Sequence, residues 1–154
     1  MNPVDELNLV IGFLHKISFS KIICDAGFGV YQNTELKRTF GNDKVYVMQH
    51  SDVGSASNKD VLKYNPKLQA GGYVSDRTKI MTIIMKCIEH RYVQLFDYDS
   101  FSEFQDDFLS IQTEYNERTN KIKYVHSKPD DCFHSLLYAY TAALLATGKQ
   151  FPII

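Results

Sequence analysis

The chain has 154 residues, 44% of them hydrophobic, and a formal net charge of −1, which suits one domain with a hydrophobic core and excludes a protein that holds nucleic acid through overall basicity. Its first residues show no basic segment followed by an apolar run, and no apolar stretch approaches the ~20 residues that span a bilayer. The three cysteines are widely spaced among apolar residues, so we expect reduced thiols in a soluble, cytoplasmic protein that is not secreted and has no membrane partner.

The first third of the chain carries the pattern of a helix followed by a βαβ unit. A short apolar run stops at Asp25 before two glycines, as a buried strand followed by a tight turn does. A second helical segment ends at Gly41, which suits the position after a helix. The predicted elements are a helix over 3–17, a strand over 21–25, a helix over 30–40 and a strand over 44–48. Together they predict a parallel sheet with a right-handed crossover.

The rest of the chain alternates loops, helices and a hairpin. Residues 49–75 are rich in Ser, Asn and Gly and predict a long loop. A helix then begins at Ser75 or Asp76, and Ser100 with Glu103 predicts a capping box for another helix. The remaining elements are an edge strand over 92–96, a hairpin of 111–115 and 122–125, and a final helix that ends near Gly148.

Carboxylates are the candidate functional side chains of this sequence, because the patterns of other common site types are missing. The sequence has no phosphate loop ending in Gly-Lys-Ser/Thr, no Gly-x-Ser-x-Gly elbow and no His-x-x-x-His pair. Asp25 remains, at the carboxyl end of a predicted parallel strand, where α/β proteins collect ligands. Asp130, Asp131 and His134 also remain, clustered at the start of the final helix.

Each of these residues has a structural alternative. An Asp before Gly often only forms a turn, an Asp pair after Pro often only caps a helix, and His134 can simply pack or form an ion pair. Carboxylates from separate elements are, however, what Mg²⁺ or Mn²⁺ requires, and two such ions promote phosphodiester cleavage. We therefore predict Asp25, Asp131 and Asp130 as ligands of Mg²⁺ or Mn²⁺ at a two-metal site, with His134 as a further catalytic residue.

Three stretches of the chain carry a resemblance to a known family: IICDAGFGVYQNTELKRTFG, SDRTKIMTIIMKCIEHRYVQLF and KPDDCFHSLLYAYTAAL. In content and order they resemble the C-terminal nuclease domain of phage terminase large subunits. The resemblance covers about residues 3–147. It implies an α/β, RNase H-like mixed sheet flanked by helices, with a β-hairpin insertion. It also implies a metal-dependent endonuclease that cuts concatemeric double-stranded DNA during genome packaging in the host cell.

The resemblance assigns roles to individual residues. Asp25 resembles the family's second acidic ligand, and Asp131, with Asp130 beside it, resembles the last one. His134 is similar in place to a polar position one helical turn later. By the same resemblance the hairpin lies near the DNA, which implies DNA contacts by Arg118, Lys121, Lys123 and Lys128; the alternative for these four is a solvated hairpin face.

The chain departs from the family in lacking its first catalytic Asp, which belongs to a Gly-x-Asp-x-Gly strand. We expect residues 1–148 to be one partial nuclease domain, truncated at its N-terminus, with residues 149–154 as a tail. We also expect low metal occupancy, weak Mn²⁺ binding and poor or absent DNA cleavage by this chain alone. The implied protein partners are an upstream terminase ATPase and nuclease segment, the portal or the small terminase subunit.

Two other classes of function stay open. A resolvase or transposase type of RNase H-like nuclease would share the carboxylates and act on other DNA structures. A non-catalytic module would bind DNA or another protein without any metal.

Overall fold

The first two strands of the sheet are parallel and are joined by a helix. The computed structural model describes residues 2–27, 29–51, 61–95, 97–118 and 120–152. Strand β1 (Ile22–Asp25) pairs in parallel with β2 (Val45–Ser51), and helix α2 (Val30–Phe40) connects them. Strands β3 (Leu62–Asn65) and β4 (Gly72–Asp76) complete a four-stranded sheet in the order β1-β2-β4-β3.

The other elements are helical except for one hairpin. Strands β5 (Ile111–Asn116) and β6 (Lys121–His126) form a separate antiparallel sheet of two strands. The helices are α1 (Pro3–Leu14), α3 (Arg77–Glu89), α4 (Tyr98–Phe101), α5 (Gln105–Leu109) and α6 (Asp131–Thr147), with a 3₁₀ turn at Ser102–Phe104.

The chain divides into two compact units. Unit 1 consists of Met1–Gln49, Leu62–Val74 and Tyr138–Gln150. Unit 2 consists of His50–Val61, Ser75–Leu137 and Phe151–Ile154. Helix α6 contributes residues to both units.

Unit 1 is built around the βαβ segment and α1. Asn2 caps α1, since its side-chain oxygen accepts the Val4 N–H at 2.9 Å. Gly41 follows the last residue of α2, and its φ of 96° favours glycine. The apolar stripes of the two helices pack with the strands, because this removes their hydrophobic side chains from water. The buried members of this core are Leu7, Leu36 and Val45, with Ile11, Leu14, Ile22, Cys24 and Phe40 packed against them.

Unit 2 is built around α3 and the first turns of α6. Asp76 caps α3 by accepting the Lys79 N–H at 3.0 Å. The face of α3 that carries Ile80, Met81, Ile84 and Cys87 is buried. Phe133 of α6 is also fully buried and packs edge-on against Phe108, with ring centroids 5.6 Å apart.

The hairpin lies against α3. The Thr82 hydroxyl is 3.1 Å from the Tyr124 hydroxyl, and the Thr78 hydroxyl is 3.5 Å from the carbonyl oxygen of Ile122. These contacts attach β6 to α3, while most hairpin side chains remain exposed.

Most predicted elements are confirmed, and three local predictions are wrong. The predicted loop over 49–75 contains the end of β2, all of β3 and β4 up to Ser75, although residues 52–60 lie outside the described part of the chain. Residues 92–95 of the predicted edge strand form no strand. The helix predicted to begin at Ser100 is broken into three short pieces, and its first cap is Asp97, which accepts the Ser100 N–H at 3.1 Å.

The loop prediction failed because the two strands are short and carry atypical residues. Gly72 opens β4 where the strands approach closely: a Cβ at this position would lie 2.5 Å from Val47 Cγ2. A glycine that signals a loop in the sequence thus serves close packing within a sheet.

The architecture is α/β, with a mixed sheet of four strands, helices and an added two-stranded sheet. This confirms the coarse part of the predicted fold class, and likeness to RNase H stays a prediction. Within the described residues, no helix combines the length and apolarity needed to cross a membrane.

Candidate functional site

Asp25 ends β1 in unit 1, and its exposed carboxylate is held at both oxygens. Oδ2 accepts the N–H of Gly27 at 2.9 Å, and Oδ1 accepts the Tyr138 hydroxyl at 3.2 Å. The turn that follows the strand therefore folds the side chain back onto the main chain. Each carboxylate oxygen has a second lone pair, so the group can still bind a cation.

The main chain at the end of β1 is held by a network of three polar side chains that were not predicted as site residues. Asn33 Nδ2 donates to the Asp25 carbonyl oxygen at 2.8 Å and to Gln69 Oε1 at 3.0 Å. Gln69 Nε2 donates to the Ala26 carbonyl oxygen at 2.7 Å. Lys37 Nζ donates to the carbonyl oxygens of Gln69 and Gly71.

A signal for two of these residues exists in the sequence. Asn33 and Lys37 are four residues apart and lie on the same stripe of α2 as Leu36, and all three are buried. Polar residues on an apolar stripe need partners when buried, which marks them as members of a network. Nothing in the sequence indicates that the partner is the turn at Gln69.

Burial also changes two ionisable groups near this network. Burial raises the pKa of the Cys24 thiol to about 11, although the positive charge of Lys37 opposes the shift. Burial lowers the pKa of Lys37 below its usual value. Cys24 therefore stays protonated and unreactive at neutral pH.

The head of α6 in unit 2 separates the roles of the two adjacent carboxylates. Asp130 is buried, with Oδ2 at 3.2 Å from His134 Nε2 and at 3.8 Å from Arg77 Nη2. Asp131 is the first residue of α6 and is exposed. The structure thus brings Asp130 and His134 together and leaves the Asp131 carboxylate accessible to solvent.

A second histidine lies beside this cluster. The rings of His50 and His134 are 5.3 Å apart between centroids, and His50 Nδ1 lies 2.7 Å from the hydroxyl oxygen of buried Ser75. His50 and Ser75 were not predicted as members of this site, because their pairing joins β2 to β4, a strand that the sequence pattern does not indicate.

The predicted DNA-contacting residues are all exposed. Lys121 and Lys123 lie two residues apart on β6 and therefore on one face of the strand. Glu114 is the cross-strand partner of Lys123, and Lys128 forms an ion pair with Asp106 at 2.7 Å. Two of the four cations therefore have an acidic neighbour, Glu114 or Asp106. DNA contact by Arg118, Lys121, Lys123 and Lys128 stays a prediction.

The carboxylates fit a divalent ion only in part. No group of three or more His, Cys, Asp or Glu side chains is arranged around a common point within the described ranges. Mg²⁺ commonly uses only one or two carboxylates, with waters and substrate phosphates completing its shell. Asp25 and Asp131 meet this requirement as exposed carboxylates, whereas Asp130 is buried beside Arg77 and His134.

Asp25 belongs to unit 1, and Asp130, Asp131 and His134 belong to unit 2. That Asp25 and Asp131 share a metal ion stays a prediction. No protein-family model, no curated protein and no solved structure matches the chain. A functional proposal therefore rests on the chain's own residues.

Proposed function

We propose that the chain is a piece of a divalent-metal-dependent endonuclease of the kind found in phage terminase large subunits, which cut concatemeric DNA during genome packaging. The observation that carries this proposal is the Asp25 carboxylate, exposed at the carboxyl end of a parallel strand and oriented by Gly27 and Tyr138. Ligands of α/β proteins bind at this edge of the sheet, and an oriented carboxylate loses little freedom on binding a cation.

Asp131 is the second ligand in this proposal. Its exposed position at the head of α6 leaves its oxygens available, and the helix start holds its main chain in place. Asp130 and His134 support the helix head from the buried side, where Asp130 contacts Arg77 as well. When bound, Mg²⁺ or Mn²⁺ supplies positive charge that stabilises a phosphodiester transition state and lowers the pKa of water.

Double-stranded DNA is the proposed substrate. Its phosphates would complete the metal shell, and the exposed cations Arg118, Lys121 and Lys123 offer contacts to the backbone. Lys128 is exposed as well and belongs to the same proposed set, and it forms an ion pair with Asp106 at 2.7 Å.

The test is Mn²⁺-dependent nicking of supercoiled plasmid by an excess of the purified chain. We expect slow nicking that Asp25→Asn and Asp131→Asn each reduce at least ~100-fold, since each variant removes a metal ligand. Lys67→Ala, which changes an exposed turn residue, is the control and should nick like the wild type.

Nicking that survives both Asp substitutions contradicts the proposal, since it then comes from another site or a contaminant. If the chain binds DNA with the same affinity with and without Mn²⁺ and does not nick it, the result favours the non-catalytic alternative.

A further inference from the structure

We propose that the side-chain amide of Gln69 is a positioning group for the Asp25 carboxylate. A strained turn that contains Gln69 and is held by Lys37 places this amide against the main chain that follows β1. The inference rests on the proposed function, because the orientation of Asp25 matters only if its carboxylate binds a cation. All residues involved belong to unit 1.

The turn between β3 and β4 has a backbone that ordinary residues avoid. Gln69 and Ala70 have φ angles of 44° and 58°, and Gly71 follows with a φ of 114°. Only the third of these residues is a glycine, although all three lie in the left-handed half of conformational space. Such strain persists where the surroundings hold it, and it is concentrated at functional sites.

Lys37 is the residue that holds the turn. Lys37 belongs to α2, and the residue is only 7% exposed. Its ammonium group donates to the carbonyl oxygens of Gln69 and Gly71, the residues on either side of Ala70. A buried ammonium group is costly unless its donors are satisfied, and these carbonyl oxygens satisfy two of them. The same contacts keep the left-handed backbone from relaxing.

The consequence of the strained turn is the position of the Gln69 amide. Nε2 donates to the Ala26 carbonyl oxygen at 2.7 Å, and Oε1 accepts from Asn33 Nδ2 at 3.0 Å. Asn33 itself donates to the Asp25 carbonyl oxygen at 2.8 Å. Two consecutive carbonyl groups at the end of β1 are therefore fixed by side-chain amides.

The link to the carboxylate runs through a single peptide group. The Ala26 carbonyl and the Gly27 N–H belong to the same peptide unit, which is planar. Gln69 holds the carbonyl end of this unit, and the N–H end donates to Asp25 Oδ2 at 2.9 Å. Loss of the Gln69 amide frees the peptide plane to rotate, and the carboxylate then loses a fixed donor.

Two glycine substitutions separate strain from positioning. Gln69→Gly and Ala70→Gly each place glycine at a left-handed position, so each relieves local strain. Only Gln69→Gly removes the amide that holds Ala26. The readouts are the Gly27 amide and Asp25 carboxylate resonances of the metal-free protein by NMR, and Mn²⁺ affinity by electron paramagnetic resonance.

We expect Gln69→Gly to shift both resonances and to weaken Mn²⁺ binding about 10-fold, as loss of a supporting contact behind a metal ligand does. Ala70→Gly should match the wild type in both readouts. If Gln69→Gly fails to fold, Gln69→Glu keeps the side-chain volume but lacks the donor, and the same changes are expected.

Unchanged Gly27 and Asp25 resonances in Gln69→Gly overturn the inference, as do equal changes in both glycine variants. A wild-type chain that binds no Mn²⁺ refutes the proposed function instead, and the NMR comparison alone then decides whether Gln69 positions Asp25.

Discussion

Glycine at position 27 allows the Asp25 carboxylate to fold back onto the main chain. A Cβ at Gly27 would lie 2.6 Å from Asp25 Oδ2, well inside normal contact. At Gly29, by contrast, a Cβ would meet Asn33 at 3.6 Å, an ordinary contact distance. The two positions are close in the chain and differ in what a methyl group would displace.

Gly27→Ala is expected to push the Asp25 side chain out of its hydrogen bond and to weaken Mn²⁺ binding about 10-fold. Gly29→Ala is the matched control and should bind Mn²⁺ like the wild type. Calorimetric titration of both variants measures the difference. Equal affinities for Gly27→Ala and the wild type would show that the carboxylate orientation has no bearing on metal binding.

The sequence predicts the place of Asp25 but not its supports. A short apolar run that stops at Asp before Gly is a local pattern, and the strand ends there in the structure. Gln69 is 43 residues from the carbonyl group that it holds, and no local rule reports such a contact. The sequence likewise does not indicate which of Asp130 and Asp131 is buried. The buried residue, Asp130, contacts Arg77, which belongs to another helix, α3.

At the scale of elements, the start of α6 is fixed by a residue far away in sequence. Asp107 at α5 accepts the N–H of Cys132 at 2.7 Å, 25 residues along the chain. Unpaired N–H groups of a first helical turn favour a nearby carboxylate. Asp107 therefore supports the turn of α6 that carries Asp131.

Asp107→Ala should lower the free energy of unfolding by about 1 kcal/mol, as loss of a helix cap does. Asp106→Ala is the neighbouring control; it removes only the ion pair with Lys128, in which both side chains are 56% exposed, and its effect should be close to zero. Urea denaturation of the two variants measures the difference. A larger effect at Asp106 would contradict the capping role of Asp107.

Strongly periodic elements could be predicted, and short ones could not. The alternation on either side of residues 116–121 marks the hairpin, and the apolar spacing of α3 marks that helix. Strand β3 has only four residues, with exposed Lys63 and Tyr64 in its middle. It exists because a neighbouring strand supplies hydrogen bonds, which is a tertiary effect.

At the scale of the whole molecule, the proposed function depends on two carboxylates that lie far apart in the sequence, Asp25 and Asp131. Asp25 ends a strand of unit 1, and Asp131 begins α6 within unit 2. Each is exposed and each stands at the end of a regular element. If the proposal holds, each carboxylate contributes to metal binding and its removal weakens that binding.

The most direct test is the Mn²⁺ affinity of Asp25→Asn and of Asp131→Asn beside that of the wild type, each variant with its stability measured. If both carboxylates are metal ligands, each substitution should weaken Mn²⁺ binding roughly 10- to 100-fold. A variant that binds Mn²⁺ like the wild type would contradict the account, because the carboxylate that it lacks is then not a metal ligand.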